Sequence, residues 1–188
     1  KTGYRRFREA IIIVGQGNGK STMIAGNAAY GLTKDGERGA EIYCLANSRE
    51  QARIIFGECS AQVQGSKILA KHVKVTRDGM YYGNSKFEPL ASDSKNLDGR
   101  NVHIGVFDEI HEFRDYKLIN VIKGKLKKRK QPLIIYITTL GTVIDGPLMD
   151  FYVLGGQILD NTGAIAQRAA DRTFVYIDEI DEDDDPSD

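Results

Sequence analysis

The chain has 188 residues, the size of one ordinary domain, and its 41% hydrophobic and 28% charged residues exclude a disordered chain. Lys+Arg and Asp+Glu both number 26, yet residues 178–188 hold eight acids and no base, so the remaining body is formally about +8 and suits a polyanionic partner. Two cysteines exclude a disulfide-stapled module, and no apolar run approaches the roughly twenty residues of a membrane-spanning helix.

Ala10-Ile11-Ile12-Ile13-Val14 is a continuous apolar run, as expected of a strand buried on both faces. A glycine-rich loop, Gly15-Gln16-Gly17-Asn18-Gly19, leads into a helix from Lys20 to about Leu32. Glu41–Ala46 is a second strand, containing Cys44, and Asn47 or Ser48 caps a helix from Arg49 to about Gln64, containing Cys59. Both cysteines fit core positions, since neither has a partner at metal-ligand spacing. Between His72 and Leu90 the pattern becomes a β-hairpin around Asp78-Gly79, with a further short strand at Phe87–Leu90. Val102–Phe107 is another buried strand, Tyr116–Lys130 a helix, and Leu133–Ile137 a strand. Pro147 opens a helix to about Leu159, and Thr173–Ile177 is the last strand. This alternation predicts an α/β domain with a central, mostly parallel sheet flanked by helices and a β-hairpin excursion near residues 72–91.

Three strand ends carry chemistry. After the first strand, the glycines let backbone N–H groups turn toward phosphate oxygens, and the helix N-terminus adds its positive partial charge. Gly15, Gln16, Gly17, Asn18, Gly19, Lys20, Ser21 and Thr22 form this candidate ATP site, with Lys20 on the β- and γ-phosphates and the Ser21 hydroxyl on Mg²⁺. The strict phosphate-loop pattern asks for glycine where Val14 stands, so the motif is a variant. The second site is VHIGVFDE, in which Asp108 ends an apolar strand and would hold the Mg²⁺ shell, and Glu109 would act as general base. The third is IIYITTLG, where Thr138 or Thr139 would sense the γ-phosphate or hydrogen-bond the attacking water, unless threonine is there for its β-propensity. An acid directly after the strand-end Asp marks P-loop NTPases with an additional strand between the two motifs.

These motifs, with Asn47-Ser48-Arg49-Glu50-Gln51-Ala52, Leu97-Asp98-Gly99-Arg100 ahead of VFDEIHEF, and the ITTLG strand, resemble the large subunit of tailed-phage terminases. The resemblance implies a P-loop ATPase domain of the additional-strand (RecA-like) type over residues 1–177. It implies an acidic linker over 178–188 toward a C-terminal nuclease domain, with no nuclease activity in this chain. It further implies coupling of Mg-ATP hydrolysis to translocation of double-stranded DNA, in a ring of large subunits that meets a portal protein and a small terminase subunit. The setting would be the host cytoplasm and, transiently, the procapsid portal, with no membrane.

The family usually places an arginine where this chain has Gln16, a neutral side chain that cannot stabilise phosphate charge, so turnover is expected to be impaired. Either glutamine is tolerated there naturally or it replaces an arginine to weaken hydrolysis, and we favour the replacement. Adenine recognition, usually upstream of the first strand, would be either partly missing or reduced to Tyr4–Phe7. Arg77, Arg100 and Arg129 are candidates for an arginine acting in a neighbouring subunit's site, and His111 for a contact to the γ-phosphate-sensing network. Lys125, Lys127, Lys128, Arg129 and Lys130 form either a DNA-phosphate contact or a solvated helix end that complements the macrodipole. The competing functions are a helicase-type ATPase domain, and a nucleotide-gated binding module in which Gln16 leaves hydrolysis negligible.

Overall fold

The structure, a computed structural model, describes residues 3–91, 99–140 and 146–178. Residues Leu97, Asp98 and Gly141 of the motifs above, and the acidic tail from Glu179 onward, lie outside the described residues. The strands are β1 (Glu9–Val14), β2 (Glu41–Ala46), β3 (Lys74–Val75), β4 (Met80–Tyr82), β5 (Ser85–Ala91), β6 (Val102–Asp108), β7 (Leu133–Thr138) and β8 (Thr173–Asp178). The α-helices are α1 (Lys20–Thr33), α2 (Arg49–Gly65), α3 (Lys117–Lys125), α4 (Pro147–Leu159) and α5 (Ala164–Ala169). One sheet runs in the order β3-β4-β5-β2-β6-β7-β1-β8. The pairs from β5 to β8 are all parallel, and only β3–β4 and β4–β5 are antiparallel. The expected hairpin therefore joins the main sheet as its edge, with β5 continuing the parallel part beside β2.

The alternation of side chains along the strands builds two cores. On one face Ile12, Val14, Ile42, Cys44 and Val106 meet Ile24 and Ala28 of α1 and Ile55 and Cys59 of α2. On the other, Ile11, Ile13, Phe107 and Tyr136 meet Ile119 and Ile122 of α3 and Phe151 of α4. Tyr136 stacks on Phe151 at 4.1 Å and on Phe107 at 5.6 Å between ring centroids, fixing α4 against the sheet. Ser48 caps α2: its hydroxyl accepts from the Gln51 N–H while the Gln51 side chain accepts from the Ser48 N–H. Both cysteines are buried and free.

Helix α3 is shorter than its sequence pattern. It ends at Lys125, a 3-10 turn covers Leu126–Lys128, and Arg129 is extended. The reason is the Arg129 side chain, which turns inward and is 5% exposed. It donates Nε to the Asn101 carbonyl at 3.0 Å, Nη2 to the same oxygen at 2.7 Å and to Gly39 O at 2.6 Å, and Nη1 to Arg38 O at 3.0 Å. Glu37 lies 3.6 Å from Nη1. Arg129 thus ties the loops that enter β2 and β6, which a helix continuing to Lys130 would not allow. At the same end of the sheet His103, fully buried, places Nε2 2.6 Å from Asp35, which also pairs with Arg5. His103 is a core residue held by Asp35.

Candidate active site

Parallel strands deliver their C-terminal ends to one edge of the sheet, where open α/β folds place their ligands. Because β7 lies between β1 and β6, the three sequence motifs stand there side by side. Val14, the departure from the strict phosphate-loop pattern, is the last residue of β1, buried and in register with Asp178 of β8. The turn begins only after it. Gly17 (φ 85) and Gly19 (φ 69) have left-handed backbones, and no atom lies within 4 Å of where a Cβ would stand on either. Gly19 directly precedes Lys20, the first residue of α1, so open backbone and a helix N-terminus face the same space. Gly15 to Gly19, Gln16 and Asn18 included, are exposed, while Lys20 and Ser21 are half-buried.

Lys20 Nζ lies 3.6 Å from Glu109 Oε1, joining the ends of β1 and β6 across β7. Glu109 itself has a left-handed backbone, φ 51 and ψ 58. Its other oxygen, Oε2, accepts from the Thr139 N–H at 3.4 Å and lies 3.5 Å from Thr138 Oγ1 and 3.3 Å from His111 Nδ1. Thr138 is fully buried, and its hydroxyl is 2.7 Å from His111 Nδ1. Lys20, Glu109, Thr138, Thr139 and His111 therefore form one network. Asp108 is 8% exposed, and burial, with Glu109 beside it, pushes its carboxyl up to about 6 against the partial relief from Lys20. A carboxylate held so far above its ordinary range is poised to gain from a cation.

Thr22 is not brought into this network. Its hydroxyl is directed to α2, donating to Glu58 Oε1 at 3.1 Å. One link went unseen in the sequence: Gln51 Nε2 donates to Glu112 Oε1 at 2.8 Å, tying the start of α2 to the turn after Glu109. The N-cap candidates Asn47 and Ser48 placed Gln51 in the first turn of a helix but carried no sign of a partner 61 residues away.

The basic run lies at the opposite edge. Lys127, Lys128 and Lys130 are exposed, Lys125 is half-buried, and Arg129 is spent on carbonyls at the entrances of β2 and β6. With strands of six or seven residues at about 3.3 Å each, that edge is about 20 Å from the phosphate loop. Arg129 is thereby a structural residue of its own subunit and is withdrawn from the basic surface. Arg100 pairs with Glu88 at 2.8 Å and lies over the Tyr43 ring at 4.6 Å. Arg77 is exposed, at the turn between β3 and β4.

Comparison with known proteins gives a consistent picture. Residues 1–153 match the family model described as the ATPase domain of the terminase large subunit. The terminase large subunit of Lactococcus phage SK1 is 29% identical over 147 residues, 74% of this chain and 27% of the relative, and that of Lactococcus phage p2 matches equally. The chain thus spans about a quarter of the length of these curated relatives. Among solved structures, the large terminase of bacteriophage HK97 superimposes with a TM-score of 0.77 at 23% identity, over 97% of this chain and 37% of the other. The large terminase ATPase domain of Thermus phage P74-26 gives 0.65 at 18% identity, over 93% and 76%. Both show the same fold, an α/β domain with a mostly parallel sheet flanked by helices.

Proposed function

This chain belongs to the family of terminase large subunit ATPase domains, and from that premise we propose that it hydrolyses ATP with Mg²⁺ to drive movement of double-stranded DNA in viral genome packaging. The observation that carries the reading is the Lys20–Glu109 pair, 3.6 Å apart at the ends of strands that flank β7. The pair supports the reading because one side chain can neutralise phosphate and the other can activate water beside it.

The residues fit a nucleotide with its metal. The open backbone at Gly17 and Gly19 leaves room for phosphate oxygens against inward N–H groups. Among the described residues no cluster of three or more His, Cys, Asp or Glu could hold a metal by itself. That suits Mg²⁺, which binds through one or two protein groups plus substrate phosphates. Ser21 and Asp108 would hold it, and it would draw charge from the transferring phosphoryl group. Lys20 neutralises the β- and γ-phosphates. Glu109, positioned by Lys20 and the Thr139 N–H, accepts a proton from the attacking water. Thr138 and His111 keep Glu109 Oε2 oriented and register the terminal phosphate.

Double-stranded DNA, further copies of the subunit in a ring, a portal protein and a small subunit are the partners this reading brings, with a neighbouring subunit's arginine completing each site. Exposed Lys127, Lys128 and Lys130 are available to DNA phosphates. Gln16 favours a second reading, a nucleotide-gated switch with negligible turnover, because a neutral amide stands where the family places a cation. Steady-state ATP hydrolysis of this chain, of Gln16→Arg, and of Gln16→Arg with Glu109→Ala separates the two. Turnover raised by the first change and abolished by the second supports the motor ATPase. Tight ATP binding with no turnover in any of the three supports the switch.

A further inference from the structure

The turn that follows Glu109 is short and is held from two sides. Ile110–Glu112 is a single 3-10 turn, closed by the Glu112 N–H on the Glu109 carbonyl at 2.9 Å and the Phe113 N–H on Ile110 O at 3.1 Å. Toward β7, the His111 ring and N–H reach the Thr138 hydroxyl at 2.7 and 3.4 Å. Toward β2, the anchor is Gln51 of α2, whose Nε2 donates to Glu112 Oε1 at 2.8 Å. The same amide has a second partner, since its Oε1 accepts from the Ser48 N–H at 3.0 Å. A donor on one side and a carboxylate on the other leave it one orientation. We propose that Gln51 is a positioning residue for hydrolysis: it holds Glu112, and through the turn it holds the Glu109 carboxylate where the attacking water is activated.

The proposal rests on the reading of Glu109 as the acceptor of the water's proton, and deepens it. Glu109 has a left-handed backbone, a posture that persists only where the surroundings over-determine it. One 3-10 turn, with its poorer hydrogen-bond geometry, does not supply that alone, so an anchor on a rigid element matters. Helix α2 is such an element: Ser48 caps it, and Ala52, Ile55 and Phe56 bury its inner face in the core. Gln51 and Glu112 are both half-buried, and their bond ends on a charged acceptor, so water competes poorly for it. The strand order β2-β6-β7-β1 gives the kinetic signature. Gln51 follows β2, on the opposite side of β6 from the phosphate loop that follows β1. Its loss therefore acts on the water side of the reaction, on kcat, and leaves ATP binding alone.

The test takes the Gln16→Arg chain as parent and reads turnover, calorimetric ATP affinity and hydrogen exchange at residues 109–113. Gln51→Ala is expected to lower kcat about tenfold with ATP affinity unchanged, and to speed exchange of the Glu112 and Phe113 amides. Unchanged ATP affinity also certifies that the variant folds. Gln51→Glu keeps the capping box, which glutamate serves as well as glutamine, but sets a second carboxylate against Glu112, so its kcat should fall at least as far. Adding Glu112→Gln to it restores both bonds with one amide and one carboxylate exchanged, and kcat should return to within about threefold of the parent. Ser48→Ala weakens the same helix end and leaves Glu112 bound, so kcat and exchange at the turn should stay within about twofold. Equal losses in Ser48→Ala and Gln51→Ala overturn the proposal in favour of a merely structural role, as does a double variant no faster than Gln51→Glu alone. A parent that hydrolyses ATP and is indifferent to Gln51 overturns it too, with the hydrolysis reading intact. A parent that binds ATP without turnover removes the hydrolysis reading itself, and the role of Gln51 with it.

Discussion

Replacing Arg129 with alanine tests whether the basic run is a binding surface or includes a structural clamp. Four hydrogen bonds from one guanidinium reach the carbonyls of Arg38, Gly39 and Asn101. A bond from a charged donor contributes about 1.5–3 kcal/mol, and each buried acceptor left unsatisfied costs about 1–3 kcal/mol. Arg38 O is exposed and recovers a water, so the loss falls on Gly39 O and Asn101 O. Allowing for partial relaxation, Arg129→Ala is expected to destabilise the domain by about 3–4 kcal/mol, a large share of an ordinary domain's roughly 5–15 kcal/mol. Lys127→Ala and Lys128→Ala, at exposed positions, should each stay within about 0.5 kcal/mol. Urea unfolding of the three variants, followed by circular dichroism, gives the comparison directly. A change below about 1 kcal/mol for Arg129→Ala, or equal changes for all three, would refute the clamp.

Glu109→Gln, made in the Gln16→Arg background, should reduce steady-state turnover at least about a hundredfold while leaving the ATP affinity measured by calorimetry nearly unchanged. Asp108→Asn should abolish turnover yet stabilise the domain in metal-free buffer. The folded state holds the Asp108 proton up to about pH 6 against an ordinary value of 3.8, so ionisation costs stability as pH rises between those values. The asparagine variant should therefore be more stable by roughly 1–3 kcal/mol above pH 7, the gap closing below about pH 4. Melting curves across that range check it, and a gap independent of pH would count against the burial argument. Gln51→Ala removes the Gln51 side-chain half of the capping box and the bond to Glu112, leaving the Ser48 hydroxyl on the residue 51 N–H, and a loss of about 1–2 kcal/mol in chemical denaturation is expected.

The parts legible in the sequence were those whose chemistry dictates residue type at fixed spacing. Glycines before Lys20, and an acid pair closing an apolar strand at Asp108 and Glu109, have few structural substitutes, and the structure brings Lys20 and Glu109 together. The continuous apolar runs announced a parallel sheet because strands covered on both faces have no polar side. Features made by tertiary geometry stayed hidden. A run of five bases has no periodicity that tells which one turns inward, and Arg129 does so because the entrances of β2 and β6 meet there. The bond from Gln51 to Glu112 joins distant segments, and helix α5, only Ala164–Ala169, is too short to show a pattern.

Glu109 carries a consequence for anyone trying to improve this domain. Its left-handed backbone, φ 51, is one that glycine or asparagine adopts more easily than glutamate, by about 1 kcal/mol. The side chain that would accept the water's proton is thus mounted on a backbone posture that disfavours it. Selection for heat resistance alone is expected to find Glu109→Gly or Glu109→Asn among its early gains and to yield sturdier, inert proteins. A thermostability campaign on this domain has to keep turnover in the screen from its first round.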